Sequence, residues 1–138
     1  VTGDAIVTCC GHVLLVERKK YGAGQFAMPG GFFKEDDQDQ VQTAIRELIE
    51  ETTINVDSNI LRGYVKRVDD FCDINRSLRG RILTKAVLIQ LPDQFVLPSV
   101  VAADDAKRAF WMPIGDVYEN RSNFFEDHYS ILSCMIGM

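Results

Sequence analysis

Val41-Gln42-Thr43-Ala44-Ile45-Arg46-Glu47-Leu48-Ile49-Glu50-Glu51-Thr52 is the stretch from which the fold of this chain is read. Its apolar residues Val41, Ala44, Ile45, Leu48 and Ile49 fall at the i, i+3, i+4, i+7, i+8 spacing of a helix that buries one face. The spacing predicts a helix from about Gln40 to Thr52, with Asp39 as N-cap, because a short acidic side chain accepts from an otherwise unbonded N–H of the first turn. On the other face Glu47, Glu50 and Glu51 share one helical turn. Three like charges so placed repel one another, and Arg46 alone does not neutralise them. Hard oxygen ligands gathered around a divalent cation explain the cluster; a solvated acidic face is the plainer alternative.

Working outward, Pro29-Gly30-Gly31 punctuates the chain just before this helix. A glycine pair permits backbone conformations closed to other residues and lets carbonyl groups approach a metal or a phosphate. Further upstream, Ala5–Cys9 and His12–Glu17 read as two antiparallel strands joined by a short hairpin at Cys10-Gly11. Tyr21-Gly22-Ala23-Gly24 has the glycine spacing of a mobile surface loop. Downstream, strands are expected over Leu61–Val68, Arg81–Leu91 and Ala109–Met112, with short helices starting near Ile114 and Phe125. Strands grouped around one early helix, with another helix at the end, predict an α+β domain or three layers with a mixed sheet between helices.

A chain of 138 residues fits one domain, and 46% hydrophobic with 25% charged residues describes a chain that folds. The net charge of −5 disfavours duplex nucleic acid and anionic membrane as partners, leaving small anionic ligands open where cations gather them. No apolar run approaches the roughly 18 residues of a membrane span, and no signal segment opens the chain, so a soluble, cytoplasmic protein is expected. Cys9, Cys10, Cys72 and Cys134 form no C-x-x-C pair. They are expected to be buried or half-buried thiols in a reducing compartment, with Cys9 and Cys10 pointing to opposite faces. The chain opens at Val1 without a methionine, which is expected of a domain cut from a longer protein.

Gly31 and the run Arg46-Glu47-Leu48-Ile49-Glu50-Glu51-Thr52-Thr53-Ile54 resemble the Nudix box, G-x5-E-x7-R-E-U-x-E-E-x-G-U, where U is a bulky aliphatic residue. The preceding Ala27-Met28-Pro29-Gly30-Gly31-Phe32 and strand pair give the context the family requires. The resemblance implies the Nudix fold, an α/β/α sandwich with a central mixed sheet. It also implies magnesium or manganese held by Glu47, Glu50, Glu51 and the carbonyl of Gly31 or its neighbour, with Arg46 orienting the carboxylates. Two departures stand out. Counted from Gly31, the pattern puts Asp37 at its first glutamate and reaches the arginine one place before Arg46, so the loop has one extra residue and Asp37 or Gln38 replaces that glutamate. The replacement implies a loop less firmly tied to the helix. Thr53 stands where the box has glycine and must end the helix without easy access to positive φ.

In the second half, Arg76-Ser77-Leu78-Arg79-Gly80-Arg81 brings three arginines together before a strand. It reads either as a solvent-facing basic loop or as a clamp on a diphosphate, with Arg79 and Arg81 first in line. Arg18 and Gly30 complete the proposed substrate contacts. Asp104 and Asp105 precede an aromatic strand and are candidates to activate water, or one of them caps a turn. Phe110 and Trp111 read as core. Glu126 and Asp127 suit the start of the last helix, and His128 reads as packing or a hydrogen bond at that start.

R-S-L-R-G-R, A-D-D-A-K-R-A-F-W-M-P and F-F-E-D-H-Y together resemble the Nudix domain of bifunctional nicotinamide mononucleotide adenylyltransferase/Nudix proteins. That resemblance implies hydrolysis of ADP-ribose to AMP and ribose 5-phosphate in NAD turnover. It also implies a covalently linked adenylyltransferase domain, and a homodimer is common in the family. The alternatives are a pyrophosphohydrolase acting on an oxidised nucleoside triphosphate or a dinucleotide, and a domain that senses ADP-ribose without cutting it.

Overall fold

The structure, a computed structural model, describes residues 1–73, 82–94, 96–103 and 106–137. Strands β1 (Thr2–Cys9) and β2 (His12–Arg18) form the expected hairpin. Both turn residues are left-handed, Cys10 at φ 51° and Gly11 at φ 72°, as a two-residue hairpin turn requires. Beyond Thr8↔Val13 the two strands part. The first half of β1 pairs instead with β4 (Gly30–Phe32), and the second half of β2 with β3 (Phe26–Ala27). The other edge of β1 pairs in parallel with β6 (Ile82–Gln90), which pairs antiparallel with β5 (Val65–Asp73). β7 (Ala106–Pro113) runs antiparallel along β2. The result is one mixed sheet in the order β3-β2-β1-β6-β5, with β4 and β7 branching from β1 and β2.

Strand alternation divides the core into two layers. Ala5, Val7, Leu14, Val87 and Ile89 point to one face and pack with Ala44, Ile45 and Leu48 of helix α1 (Gln40–Thr52). Ile6, Val13, Leu15, Ala86 and Leu88 point to the other face and pack with Ile131, Leu132 and Met135 of helix α4 (His128–Ile136). A side chain such as Leu48, fully buried, contributes about 1.5–3 kcal/mol from area removed from water. The sheet is thus covered by helices on both sides, in the sandwich anticipated from the sequence.

Helix α1 keeps its expected bounds. The Asp39 side chain accepts from Gln42 N at 2.8 Å, and Thr53 ends the helix at φ 49°, its N–H bonded to Ile49 O at 2.9 Å. Threonine therefore occupies the left-handed position that the box gives to glycine, and its Oγ1 donates to Val101 O at 3.0 Å.

Three expectations are corrected. Leu61 does not start a strand: it lies in helix α2 (Ser58–Gly63), which Asp57 caps by accepting from Asn59 N, and β5 begins only at Val65. The last helix starts at His128 rather than near Phe125, because Glu126 takes a left-handed φ of 47° that breaks helical continuity before it. Among the thiols Cys9 is buried and Cys10 half-buried, but Cys72 and Cys134 are exposed. Cys9 and Cys10 do not diverge, since Cys10 belongs to the turn and its Sγ lies 3.8 Å from that of Cys9. Helix α3 (Ile114–Val117) follows β7 directly, as expected. No helix among the described residues is long and apolar enough to cross a membrane.

Candidate active site

Where β1 and β2 part, an open cavity of about 330 Å³ forms between the sheet and the last turns of α1. Thr2 and Asp4 of β1, Gly30 and Gly31 of β4, and Glu47 and Glu51 of α1 line it. Arg18, Lys19, Lys20, Tyr21, Glu126 and His128 line it as well. Acidic and basic side chains thus share a single cavity.

The two glycines are needed here for space, not for unusual backbone angles, since neither has a positive φ. A Cβ on Gly31 would stand 2.5 Å from the Glu47 carboxyl carbon, and one on Gly30 would stand 1.8 Å from Asp4 Oδ1. Glu51 closes the arrangement, its Oε2 accepting from Gly30 N at 2.7 Å. Carboxylates therefore press on both glycines, and any side chain at either position would push them away.

Arg46 organises the acids of the helix. Its Nη1 donates to Glu47 Oε1 at 2.9 Å and to Glu50 Oε2 at 3.3 Å, while Nε and Nη2 grip the two oxygens of Asp37, each at 2.9 Å. Nη2 also reaches Phe32 O at 3.2 Å, tying β4 to the helix. Asp37 is itself buried and accepts from Lys34 N and from Thr43 Oγ1. Its replacement of the box glutamate does not loosen the loop: the shorter acid makes a bidentate pair that fastens loop to helix. The bonds from Arg46, with that from Lys34 N, hold the Asp37 carboxyl well below the usual carboxylate range.

Burial pushes the Glu51 carboxyl up to about 8, against the N–H of Gly30; repulsion from Glu47 and Asp4 adds to the rise. Burial likewise raises Glu47, although Arg46 opposes it. Carboxyls crowded and desolvated in this way hold their charge poorly until a cation joins them. Among the described residues no three acidic, histidine or cysteine side chains already converge on one point, since Glu47 and Glu51 are turned to Arg46 and Gly30. The donors that line the cavity, Glu47 and Glu51, are hard oxygens, which suit magnesium or manganese. Glu50 differs: its side chain is 53% exposed and it does not line the cavity.

Arg18 is positioned by its own surroundings. Its Nε donates to Tyr21 O at 2.5 Å and its guanidinium stacks 3.9 Å from the centre of the Phe125 ring, which Tyr21 meets edge-on. The glycine loop that follows is a bonded hairpin, with Gly24 N on Arg18 O at 2.9 Å and Arg18 N on Gln25 O at 2.8 Å. His128 accepts from Met28 N at Nδ1, 3.0 Å away, which leaves the proton of a neutral ring on Nε2. Trp111 packs against the α1 layer and donates from Nε1 to Pro98 O, while Phe110 packs in the α4 layer.

Arg79, Arg81, Asp104 and Asp105 lie outside the described residues. The chain leading toward the last two is anchored at the end of α1, by Val101 N on Thr52 O at 2.7 Å and Ala103 N on Glu51 O at 3.0 Å. Sequence reasoning missed Asp4, Lys19, Lys20 and Tyr21. Only the alternation of polar and apolar residues in Thr2-Gly3-Asp4-Ala5-Ile6 carried a signal for Asp4, and it reads equally as an ordinary strand.

An acid-bearing helix behind a glycine pair, at the edge of a mixed sheet between helices, is the arrangement of the NUDIX domain, which matches residues 3–133; the chain belongs to that family of hydrolases, which work with divalent metals. It is similar to the Francisella tularensis bifunctional NMN adenylyltransferase/ADP ribose pyrophosphatase, solved with AMP and a manganese ion, at 36% identity and a TM-score of 0.94. That match covers 99% of this chain and 40% of the Francisella chain, so this chain spans less than half of its relative. The NUDIX domain of Shewanella oneidensis NrtR, solved with ADP ribose, shares the fold at 22% identity and a TM-score of 0.76, covering 99% of this chain and 85% of that one. A C. elegans Ap4A hydrolase shares it at 15% identity and a TM-score of 0.68, over 99% and 96% of the two chains.

Proposed function

We propose that this chain hydrolyses the diphosphate of ADP-ribose, giving AMP and ribose 5-phosphate. The observation that carries the reading is one cavity lined both by Glu47 and Glu51, beside Gly30 and Gly31, and by Arg18, Lys19 and Lys20. A diphosphate needs both: acids that hold cations against it, and basic side chains that meet its free oxygens. A bound magnesium or manganese ion supplies charge neutralisation and polarises the phosphoryl oxygen.

The protein groups do the rest. Glu47, Glu51 and the backbone at Gly31 are the proposed ligands, Glu50 extends the acidic face outward, and Arg46, anchored by Asp37, orients Glu47 and Glu50. Arg18, held over the Phe125 ring, is proposed to meet the phosphate or ribose oxygens, with Arg79 and Arg81 as further clamps. The backbone N–H of Gly30, which donates to Glu51, would be a further donor to a substrate oxygen if Glu51 held a cation instead. Asp104 and Asp105 are the proposed acceptors of the proton from the attacking water. Water forms one P–O bond as the bridging P–O bond breaks, and the departing phosphate leaves on its sugar.

Support for ADP-ribose over other diphosphates comes from the similarity, over nearly the whole chain, to a protein named for that activity. The test is a panel of ADP-ribose, dinucleotides and nucleoside triphosphates, with magnesium, and products identified by chromatography. AMP and ribose 5-phosphate from ADP-ribose, at a kcat/KM above that of every other compound, is the expected result. Faster turnover of another nucleotide overturns the substrate, and tight binding of ADP-ribose without cleavage makes the domain a sensor.

A further inference from the structure

Strand β1 borders two cavities. Thr2 and Asp4, at its start, line the one described above, whereas Thr8 and Cys9, at its end, line a second of about 490 Å³ that shares no lining residue with the first. Cys10 lines this second cavity too. Neighbouring residues on a strand point to opposite faces, so adjacent cysteines ordinarily diverge. Here Cys10 leaves the strand for the turn at φ 51°, and its Sγ stands 3.8 Å from that of Cys9. Asn, Asp or Gly would take that left-handed position at less cost, so the turn itself does not call for a cysteine. The two thiols differ in their surroundings. Cys10 is half-buried and held by Gln94, whose N–H donates to its Sγ at 3.0 Å and whose carbonyl accepts its S–H at 2.9 Å. Cys9 is buried, with its Sγ 3.4 Å from Pro92 O. Burial pushes the Cys9 thiol up to about 11, and the bond to Cys10 and the charges of Cys10 and Asp93 add to the rise. Because the thiolate is the nucleophile, Cys9 does not react first. One sulfur is thus open to a small solute in the cavity, and a second is buried against it.

We propose that Cys9 and Cys10 are a modification site, a dithiol that a hydroperoxide oxidises reversibly to a disulfide between neighbours. The Cys10 sulfur attacks one peroxide oxygen and the O–O bond breaks, giving Cys10 sulfenic acid and an alcohol, or water when the oxidant is hydrogen peroxide. The Cys9 sulfur then attacks the Cys10 sulfur, the S–O bond breaks, and the hydroxyl leaves with the Cys9 proton as water. Two electrons pass from the pair of thiols to the peroxide. Oxidation of Cys10 removes its thiolate charge, one of the causes that keep the Cys9 proton in place. Consecutive Cα atoms stand about 3.8 Å apart, below the roughly 4.4 Å at which ordinary disulfides begin, so the closed ring is strained and a small thiol reopens it. The site is independent of the nucleotide reading, since its cavity is a separate one.

The experiment treats the full wild-type chain with hydrogen peroxide, alkylates the remaining thiols after denaturation, and identifies the peptide that spans Cys9 and Cys10 by mass spectrometry. The expected peptide carries no alkyl group and is lighter by two hydrogens, and dithiothreitol before alkylation restores both thiols. The exposed Cys72 and Cys134 report the dose. If they are oxidised while Cys9 and Cys10 are still alkylated, the proposal is overturned. Sulfinic acid at Cys10, or a bond from either residue to another chain, overturns it as well. Two variants test the order of the steps. Cys9→Ala leaves a sulfenic acid at Cys10 that dimedone traps, whereas Cys10→Ser leaves Cys9 unoxidised at the same dose. Oxidation of Cys9 in Cys10→Ser at the rate of the wild-type pair overturns the entry through Cys10. The wild-type peptide decides the proposal even where a variant fails to fold.

Discussion

Gly31→Ala separates the chemistry of the site from the stability of the fold. The added methyl would stand 2.5 Å from the Glu47 carboxyl carbon, whereas ordinary contact begins at 3.4 Å, so the carboxyl must withdraw by roughly 0.9 Å. Glu47 is the end of a flexible side chain, and moving it off its rotamer costs about 1 kcal/mol. Alanine in a strand returns a comparable about 0.5–1 kcal/mol relative to glycine, because less backbone freedom is lost on folding. Denaturant midpoints in EDTA should therefore barely move. A displacement of about 1 Å in a group that holds the reacting centre costs on the order of a hundredfold in rate. The assay pairs kcat/KM for ADP-ribose at saturating magnesium with urea unfolding. A folded Gly31→Ala protein with wild-type kcat/KM would refute the role given to Glu47, and a protein that unfolds instead would show that this contact serves the fold.

Other outcomes follow from the same geometry. Asp37→Asn removes the charged half of a bidentate pair with Arg46, so kcat/KM should fall about tenfold or more, as removal of a group that supports metal ligands does; a wild-type pH-rate profile at wild-type kcat/KM would contradict it. Because Glu51 rises from 4.5 to about 8 on folding, the metal-free protein should be most stable below about pH 4.5 as far as this group is concerned and should lose on the order of 5 kcal/mol as pH climbs through 8. Urea unfolding in EDTA at several pH values measures this, and Glu51→Gln should flatten the slope. Thr53→Gly relieves a left-handed threonine and should stabilise the protein by about 1 kcal/mol, read as a higher denaturant midpoint. Leu48→Ala empties a fully buried position between α1 and the sheet and should cost about 2–5 kcal/mol without changing KM in the protein that remains folded.

How much of this was legible beforehand depends on the range of the forces involved. Helix α1 could be read to its ends, because its period, its Asp39 cap and its stop are all local. The hairpin at Cys10-Gly11 was legible for the same reason. β3 and β4, two and three residues long, carry no period of their own and exist because β1 and β2 part and leave edges to be paired. Leu61 looked like the start of a strand since a short apolar run does not distinguish helix from strand; the Asp57 cap decides it. Within the site, Glu47, Glu50 and Glu51 announce themselves by crowding on one turn. Asp37 does not, as its partner is set by how the loop folds back on Arg46. The purpose of Gly30 and Gly31 was also hidden, since what excludes a side chain there is the close approach of Asp4 from β1 and Glu47 from α1, contacts made only in three dimensions.

The central claim, cation-dependent hydrolysis of ADP-ribose at the carboxylates around Gly30 and Gly31, is tested most directly by a single-turnover reaction with enzyme in excess. Wild type and Glu51→Gln would be compared in magnesium and in EDTA, with all products quantified. The account predicts equal amounts of AMP and ribose 5-phosphate from the wild type in magnesium, and intact ADP-ribose in the other three reactions. Cleavage in EDTA, or by Glu51→Gln at the wild-type rate, would contradict it.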